Sequence, residues 1–124
     1  MSVSDSTLTV LALAFAAMGV GALAKPDVVT RQFGMGPLEA PGRSEVRAVY
    51  GGFGLAMAAM LIVSLASPAL RRGVCLTIGL ALAGMAAGRL VSWAIDRRIA
   101  RKPLLYLALE AVAAALLLGG VSSS

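Results

Sequence analysis

"VCLTIGLALAGMAAGRLVSWAI", residues 74–95, carries one charged side chain, Arg89. At about 1.5 Å of rise per residue, an α-helix of roughly 20 residues crosses the ~30 Å hydrocarbon layer of a bilayer. Three further stretches share this character: Thr7 to Ala24, about Ser44 to Ala66, and Leu104 to Gly120. Hydrocarbon offers no water to backbone N–H and C=O groups, so each stretch must be helical unless a barrel closes. The expected fold class is therefore all-α. It is read as a four-transmembrane-helix bundle, up-down-up-down, with both termini on the outer side. Residues 1–124 form a single integral membrane domain with spans at about 7–24, 44–66, 74–95 and 104–120 and a cytoplasmic loop at 25–43.

Composition supports the same class. The chain is 59% hydrophobic and 14% charged, with a mean hydropathy of +0.88. A water-soluble domain of this size needs far more polar surface to cover its core. The net charge of +5 could point to nucleic acid, but the basic residues sit at the ends of apolar runs. They read as charges that orient the protein in the bilayer, with no nucleic acid as a partner. Lys25, Arg31 and Arg43 fall in one connection, and Arg97, Arg98, Arg101 and Lys102 in another. The opposite side holds Arg71 and Arg72 only. The positive-inside bias places the two basic connections in the cytoplasm, in a multi-pass protein of a bacterial inner membrane. The first run also resembles a secretory signal, with "ALA" before Lys25. The leading "MSVSDST" has no basic residue and carries Asp5, so the run is read as a span.

Residue usage narrows the chemistry. There is no histidine, and Cys75 stands alone. This removes the usual general base, the usual haem ligand, the commonest zinc ligand and any intrachain disulfide. No cofactor and no metal site is expected. In the segment "KPDVVTRQFGMGPLEAPGR", the first half suits a short interfacial helix starting at Pro26, with Val28, Val29 and Phe33 toward lipid. The second half is expected to be irregular.

Two charges lie inside the spans. Arg89 is seven residues before Asp96, and Glu110 is seven residues after Pro103. Both lie equally far from the short connection between the third and fourth spans, so an antiparallel hairpin sets them at one level. An isolated charge near a helix centre costs about 2.5–3.5 kcal/mol on insertion scales, while each leucine returns a few tenths. Arg89 alone could snorkel to the headgroups. Glu110 is too short for that, and an Arg89–Glu110 ion pair is the expected arrangement.

Helical spacing extends the cluster. Arg89, Ser92, Trp93 and Asp96 share one face of the third span, and Tyr106 and Glu110 share one of the fourth. At the mouth of the second span, "RSEVRAVYGG" supplies Glu45, Arg47 and Tyr50, with Arg47, Tyr50, Gly51 and Gly54 on one stripe. The candidate ligand-binding residues are Glu45, Arg47, Tyr50, Arg89, Ser92, Asp96 and Glu110. Gly84 and Gly88 form a Gly-x-x-x-Gly pattern, and Gly51, Gly52 and Gly54 thin the second span. Packing within the bundle is the expected use of both sets, with a dimer contact as the alternative.

The stretches "EVRAVYGGFGLAMA", "GRLVSWAIDRR" and "LYLALEAV" together resemble the DUF4345 family of small four-helix integral membrane proteins, itself distantly similar to DoxX-like proteins. The resemblance covers nearly the whole chain and carries Glu45, Arg47, Tyr50, Gly51, Gly52, Gly88, Arg89, Asp96 and Glu110 onto the family pattern. Family members tend to follow the third-span aspartate with glycine and proline; here Arg97 and Arg98 follow Asp96. The family's function is unknown, so the resemblance implies a fold and no mechanism.

Two functions fit these residues. In the first, the charged pocket binds or moves a small amphipathic or anionic molecule, with cationic and hydroxyl groups on its head and alanine-rich helices along its tail. In the second, the chain is an accessory or structural subunit of a larger membrane complex, or a homodimer, whose buried charges fix helix packing. An enzyme is the weaker expectation: Glu45, Asp96 and Glu110 offer acid–base groups, but no nucleophile constellation accompanies them. The bilayer itself is the one partner all three share.

Overall fold

The computed structural model describes residues 3–122. They form helix α1 (Asp5–Ala24), a short α2 (Pro26–Arg31), α3 (Ala40–Val46), a π-helical turn (Arg47–Gly52), α4 (Phe53–Ala66), α5 (Pro68–Asp96) and α6 (Arg101–Ser122). The fold class is all-α, and no strand occurs among the described residues. Four helical stretches are long and apolar enough to cross a membrane: Asp5–Ala24, Ala40–Ala66, Pro68–Asp96 and Arg101–Val121. Only 22–33% of the most apolar window of each stretch is buried inside the protein, so most of its apolar surface faces outward. Val10, Leu13, Ile95 and Leu109 are examples, each more than half exposed. Such a surface is untenable in water and suited to hydrocarbon. The chain is a multi-pass integral membrane protein.

Local chemistry explains where the helices begin and end. Ser4 caps α1, its Oγ accepting from the Thr7 N–H at 3.1 Å. α4 stops at Ala66, Ser67 is extended (φ −130°, ψ 94°), and Pro68 opens α5 at a position where its missing N–H costs nothing. α5 thus starts about two turns before the apolar run that first defined the third span. Arg71 and Arg72 lie within this extra length. Arg71 donates to the Ser64 and Leu65 carbonyls at 3.2 and 3.1 Å and pairs with Asp5 at 2.9 Å, while Arg72 donates to the Val121 carbonyl at 3.3 Å. Two helix C-termini, those of α4 and α6, therefore receive guanidinium donors for otherwise orphaned carbonyls.

At the other end of α5, Arg97 takes the left-handed conformation (φ 56°, ψ 24°) that ends a helix most cheaply as glycine. A non-glycine residue there carries about 1–2 kcal/mol of strain, partly offset by glycine's greater freedom in the unfolded chain. Arg97→Gly should stabilise the protein by about 0.5–1 kcal/mol, read as a higher thermal midpoint in detergent. An unchanged or lower midpoint would show that Arg97 gains from contacts that offset its backbone.

One apolar core holds four helices together at the end remote from Arg89. Leu8 and Ala12 of α1, Leu61 of α4, Val74, Cys75, Ile78 and Leu82 of α5, and Ala113, Ala114, Leu117 and Val121 of α6 all bury there. Toward the Arg89 end, α1 and the π turn and start of α4 pack through glycines instead. A Cβ on Gly19 would come within 2.9 Å of the Gly51 carbonyl oxygen, and one on Gly54 within 3.2 Å of the Phe15 carbonyl oxygen. Backbones can approach this closely only where no side chain intervenes.

The glycine expectation holds for Gly51 and Gly54 and fails for Gly52, whose Cβ would meet only the Arg47 carbonyl oxygen at 3.9 Å, and for Gly84 and Gly88. Gly51 and Gly54 serve packing within the chain. Gly84 and Gly88 do not: a Cβ on either meets nothing within 4 Å, because α6 and α4 pack on other faces of α5. The π turn also changes the face of the second span. Buried positions run Val46, Gly51, Gly54, Ala58, Leu61, with one step of five residues across the π turn. That extra residue turns Arg47 away from the stripe expected to hold Arg47, Tyr50, Gly51 and Gly54. Finally, the second half of the 25–43 connection is not wholly irregular, because α3 begins at Ala40 with Pro41 in its first turn.

Candidate functional site

Arg89 and Glu110 meet. The α5–α6 hairpin turns through residues 97–100, and Arg89, seven residues before the end of α5, comes level with Glu110, nine residues after the start of α6. Arg89 Nε donates to Glu110 Oε1 at 2.6 Å and Nη2 donates to Oε2 at 3.2 Å, a two-pronged fork on a carboxylate. The Glu110 side chain is 8% exposed and that of Arg89 24%. Glu110 thus has both oxygens satisfied where water is scarce, and the two formal charges cancel inside the span. Arg89 pairs and does not snorkel.

A second layer covers the guanidinium. Its Cζ lies 5.7 Å from the ring centre of Phe33 and 5.6 Å from that of Tyr106, and these two rings are 5.6 Å apart at a tilt of 47°. Each ring face attracts the cation, by about 0.5–2 kcal/mol depending on desolvation. The Tyr106 hydroxyl donates to Gln32 Oε1 at 2.6 Å. Phe33 therefore faces the charge pair, contrary to the expectation that it contacts lipid. Val28 does remain exposed.

The segment holding Gln32 and Phe33 is itself pinned. Asp27 Oδ1 accepts from the Leu38 N–H at 2.8 Å, and Gly34 turns the chain at φ +78°. The connection after α1 thus folds back as a strap over the α5–α6 hairpin. Gln32 and Phe33 escaped the sequence reading because helical periodicity relates only residues on one helix. A lone aromatic in an amphipathic segment looks the same whether it meets lipid or a cation.

The other candidates separate into two groups. Ser92 and Asp96 line an open groove together with Arg89, Gly88, Trp93 and Arg98 along α5 and the connection that follows. Ser92 and Asp96 are exposed there. Glu45 belongs to α3, and Arg47 and Tyr50 belong to the π turn, which packs with α1 and α4. Arg47 Nε donates to the Leu23 carbonyl at 3.0 Å, supplying the end of α1 as Arg71 and Arg72 do elsewhere. Among the described residues no hydrogen bond or ion pair joins these three to Arg89 or Glu110. Nor does any group of three His, Cys, Asp or Glu side chains gather there in a way that could hold a metal ion.

The elements that frame this site all fall within the stretch matched by one family model, described as a domain of unknown function (DUF4345), which covers residues 4–121. The chain belongs to the DUF4345 family. No curated protein and no solved structure matches this DUF4345 protein. Membership therefore accounts for the whole membrane-embedded chain and leaves its chemistry to be argued from side chains.

Proposed function

We infer that this DUF4345 protein binds or moves a small amphipathic or anionic molecule at the Arg89 end of the helices. The observation that carries this is a forked, largely buried Arg89–Glu110 pair that opens sideways into a groove. Glu110 takes the Nε–H and one Nη2–H of Arg89, and no other hydrogen bond of that guanidinium forms among the described residues. Arg89 therefore keeps donors for a visiting anion, while Glu110 balances its charge when the groove is empty. Phe33 and Tyr106 hold the guanidinium plane in place, so an anion meets a preset donor edge. With basic residues concentrated at this end, the site faces the cytoplasm of a bacterial inner membrane.

A structural role is favoured by a separate observation. Gly73, Gly84 and Gly88 all face open space on α5, as partner-contact glycines in membranes often do before the partner arrives. In that case the chain is an accessory subunit or a homodimer, and the ion pair only fixes helix packing.

The two are separated by gentle purification and identification of what accompanies the protein. The binding function predicts a defined amphiphile at a stoichiometric level. It should be lost from the folded Arg89→Leu/Glu110→Leu double variant, which removes both charges together and so leaves neither buried alone. A stoichiometric protein partner retained by that variant, with no amphiphile in either preparation, would instead establish the subunit role.

A further inference from the structure

The groove beside Arg89 has a shape and a charge that narrow its occupant. It begins at Met85, eleven residues before the end of α5 and so about 16 Å along the helix, and reaches Arg98 beyond that end. Its deep part is walled by Met85 and by Gly88, where a Cβ would meet nothing within 4 Å. Its mouth holds Ser92, Trp93 and Arg98. Trp93 is 40% exposed, placed as indoles sit at the headgroup level of a bilayer. Residues 96–102, the segment that closes this end of the groove, carry four basic side chains against Asp96 alone; of these charges Asp96 and Arg98 line the groove itself. An apolar slot that ends in an indole-bearing mouth beside a cationic connection matches one chemistry.

We propose that this groove is a site for an anionic phospholipid, with one acyl chain along Gly88 and Met85 and the phosphate at Arg98 and Ser92. The proposal rests on the binding function above and names its ligand class. Arg89 contributes its unused donors from the groove wall. Asp96 offsets Arg98 within the groove, and Arg97, Arg101 and Lys102 keep the surrounding connection net positive, so zwitterionic lipids gain little there. One basic contact near the surface enriches an anionic lipid about fivefold over its share of the bilayer.

Trp93 is the only tryptophan in the chain, so its fluorescence reports on this groove directly. The full chain is reconstituted in phosphatidylcholine vesicles containing a fixed small fraction of one acyl-brominated quencher: phosphatidylglycerol, phosphatidylcholine or a free fatty acid. Brominated phosphatidylglycerol should quench Trp93 as if enriched about fivefold over brominated phosphatidylcholine. Gly88→Leu, whose side chain enters open space, and Arg98→Glu, at an exposed position, should each abolish the excess while leaving the helical circular dichroism unchanged.

Three results overturn the proposal. Equal quenching by the two phospholipids means ordinary boundary lipid. Weak quenching by every lipid means that another chain, such as a second copy, covers α5. Stronger quenching by the fatty acid than by phosphatidylglycerol means a carboxylate ligand without a phosphate. Should any of these appear while the double Arg89/Glu110 variant still loses its co-purifying amphiphile, the binding function stands and only its assignment to an anionic phospholipid falls.

Discussion

Glu110→Gln should cost the protein about 3–5 kcal/mol of stability, measured by reversible unfolding in mixed detergent micelles. Arg89 would then sit inside the hydrophobic span as an unmatched cation, facing an amide where it now forks onto a carboxylate. Phe33 and Tyr106 would still embrace the guanidinium, but two ring faces contribute about 1–4 kcal/mol together at most and cannot neutralise its charge. Arg89→Leu should be comparably harmful, because Glu110 would remain, 8% exposed, with no counter-ion. The double replacement Arg89→Leu/Glu110→Leu removes both charges and both desolvation costs. It should lie within about 1 kcal/mol of the original protein, a strong coupling in the double-mutant cycle. If the single losses simply add in the double variant, the two side chains do not depend on each other.

Gly19→Ala is expected to separate α1 from α4 and to cost about 1–3 kcal/mol. The new methyl would approach Leu55 Cγ to 2.8 Å, the Gly51 carbonyl oxygen to 2.9 Å and the Leu55 nitrogen to 3.0 Å, so backbone must yield as well as a side chain. Gly88→Ala serves as the contrast. Its methyl enters open space, and its effect should stay within about 0.5 kcal/mol. Unfolding midpoints of the two variants in one detergent decide the matter. Equal effects would place the close helix contact somewhere other than Gly19, Gly51 and Gly54.

The membrane class was legible because hydropathy over a span is a sum over many residues and tolerates local error. The Arg89–Glu110 pair was legible for a different reason. A tight helical hairpin converts sequence distance from its turn into depth, so positions at similar offsets meet. Where backbone geometry departs from a plain α-helix, that arithmetic breaks. The single π turn at Arg47–Gly52 rotates everything before it, and Arg47 ends on the Leu23 carbonyl, away from the charged pair. Gly84 and Gly88 carry the right spacing for packing, yet spacing alone does not say which neighbour a face meets. Phe33 and Gln32 reach Arg89 and Tyr106 across long stretches of chain, a contact set by how Asp27 and Leu38 close the strap. No periodic signal records such a closure. Arg97 shows a third kind of case: its departure from glycine after Asp96 was visible, and only the backbone shows its left-handed setting.

The central claim is that Arg89 and Glu110 touch inside the membrane, and solid-state NMR in lipid bilayers addresses it directly. The chain has three glutamates, Glu39, Glu45 and Glu110, and only Glu110 is in an ion pair among the described residues. With carboxyl carbons of glutamate and guanidinium nitrogens of arginine labelled, one carboxyl signal of the three should dephase rapidly through carbon–nitrogen dipolar coupling. The same signal should cease to do so in Arg89→Leu. If no glutamate signal dephases in the original protein, or if the dephasing survives Arg89→Leu, the pair does not exist in the bilayer.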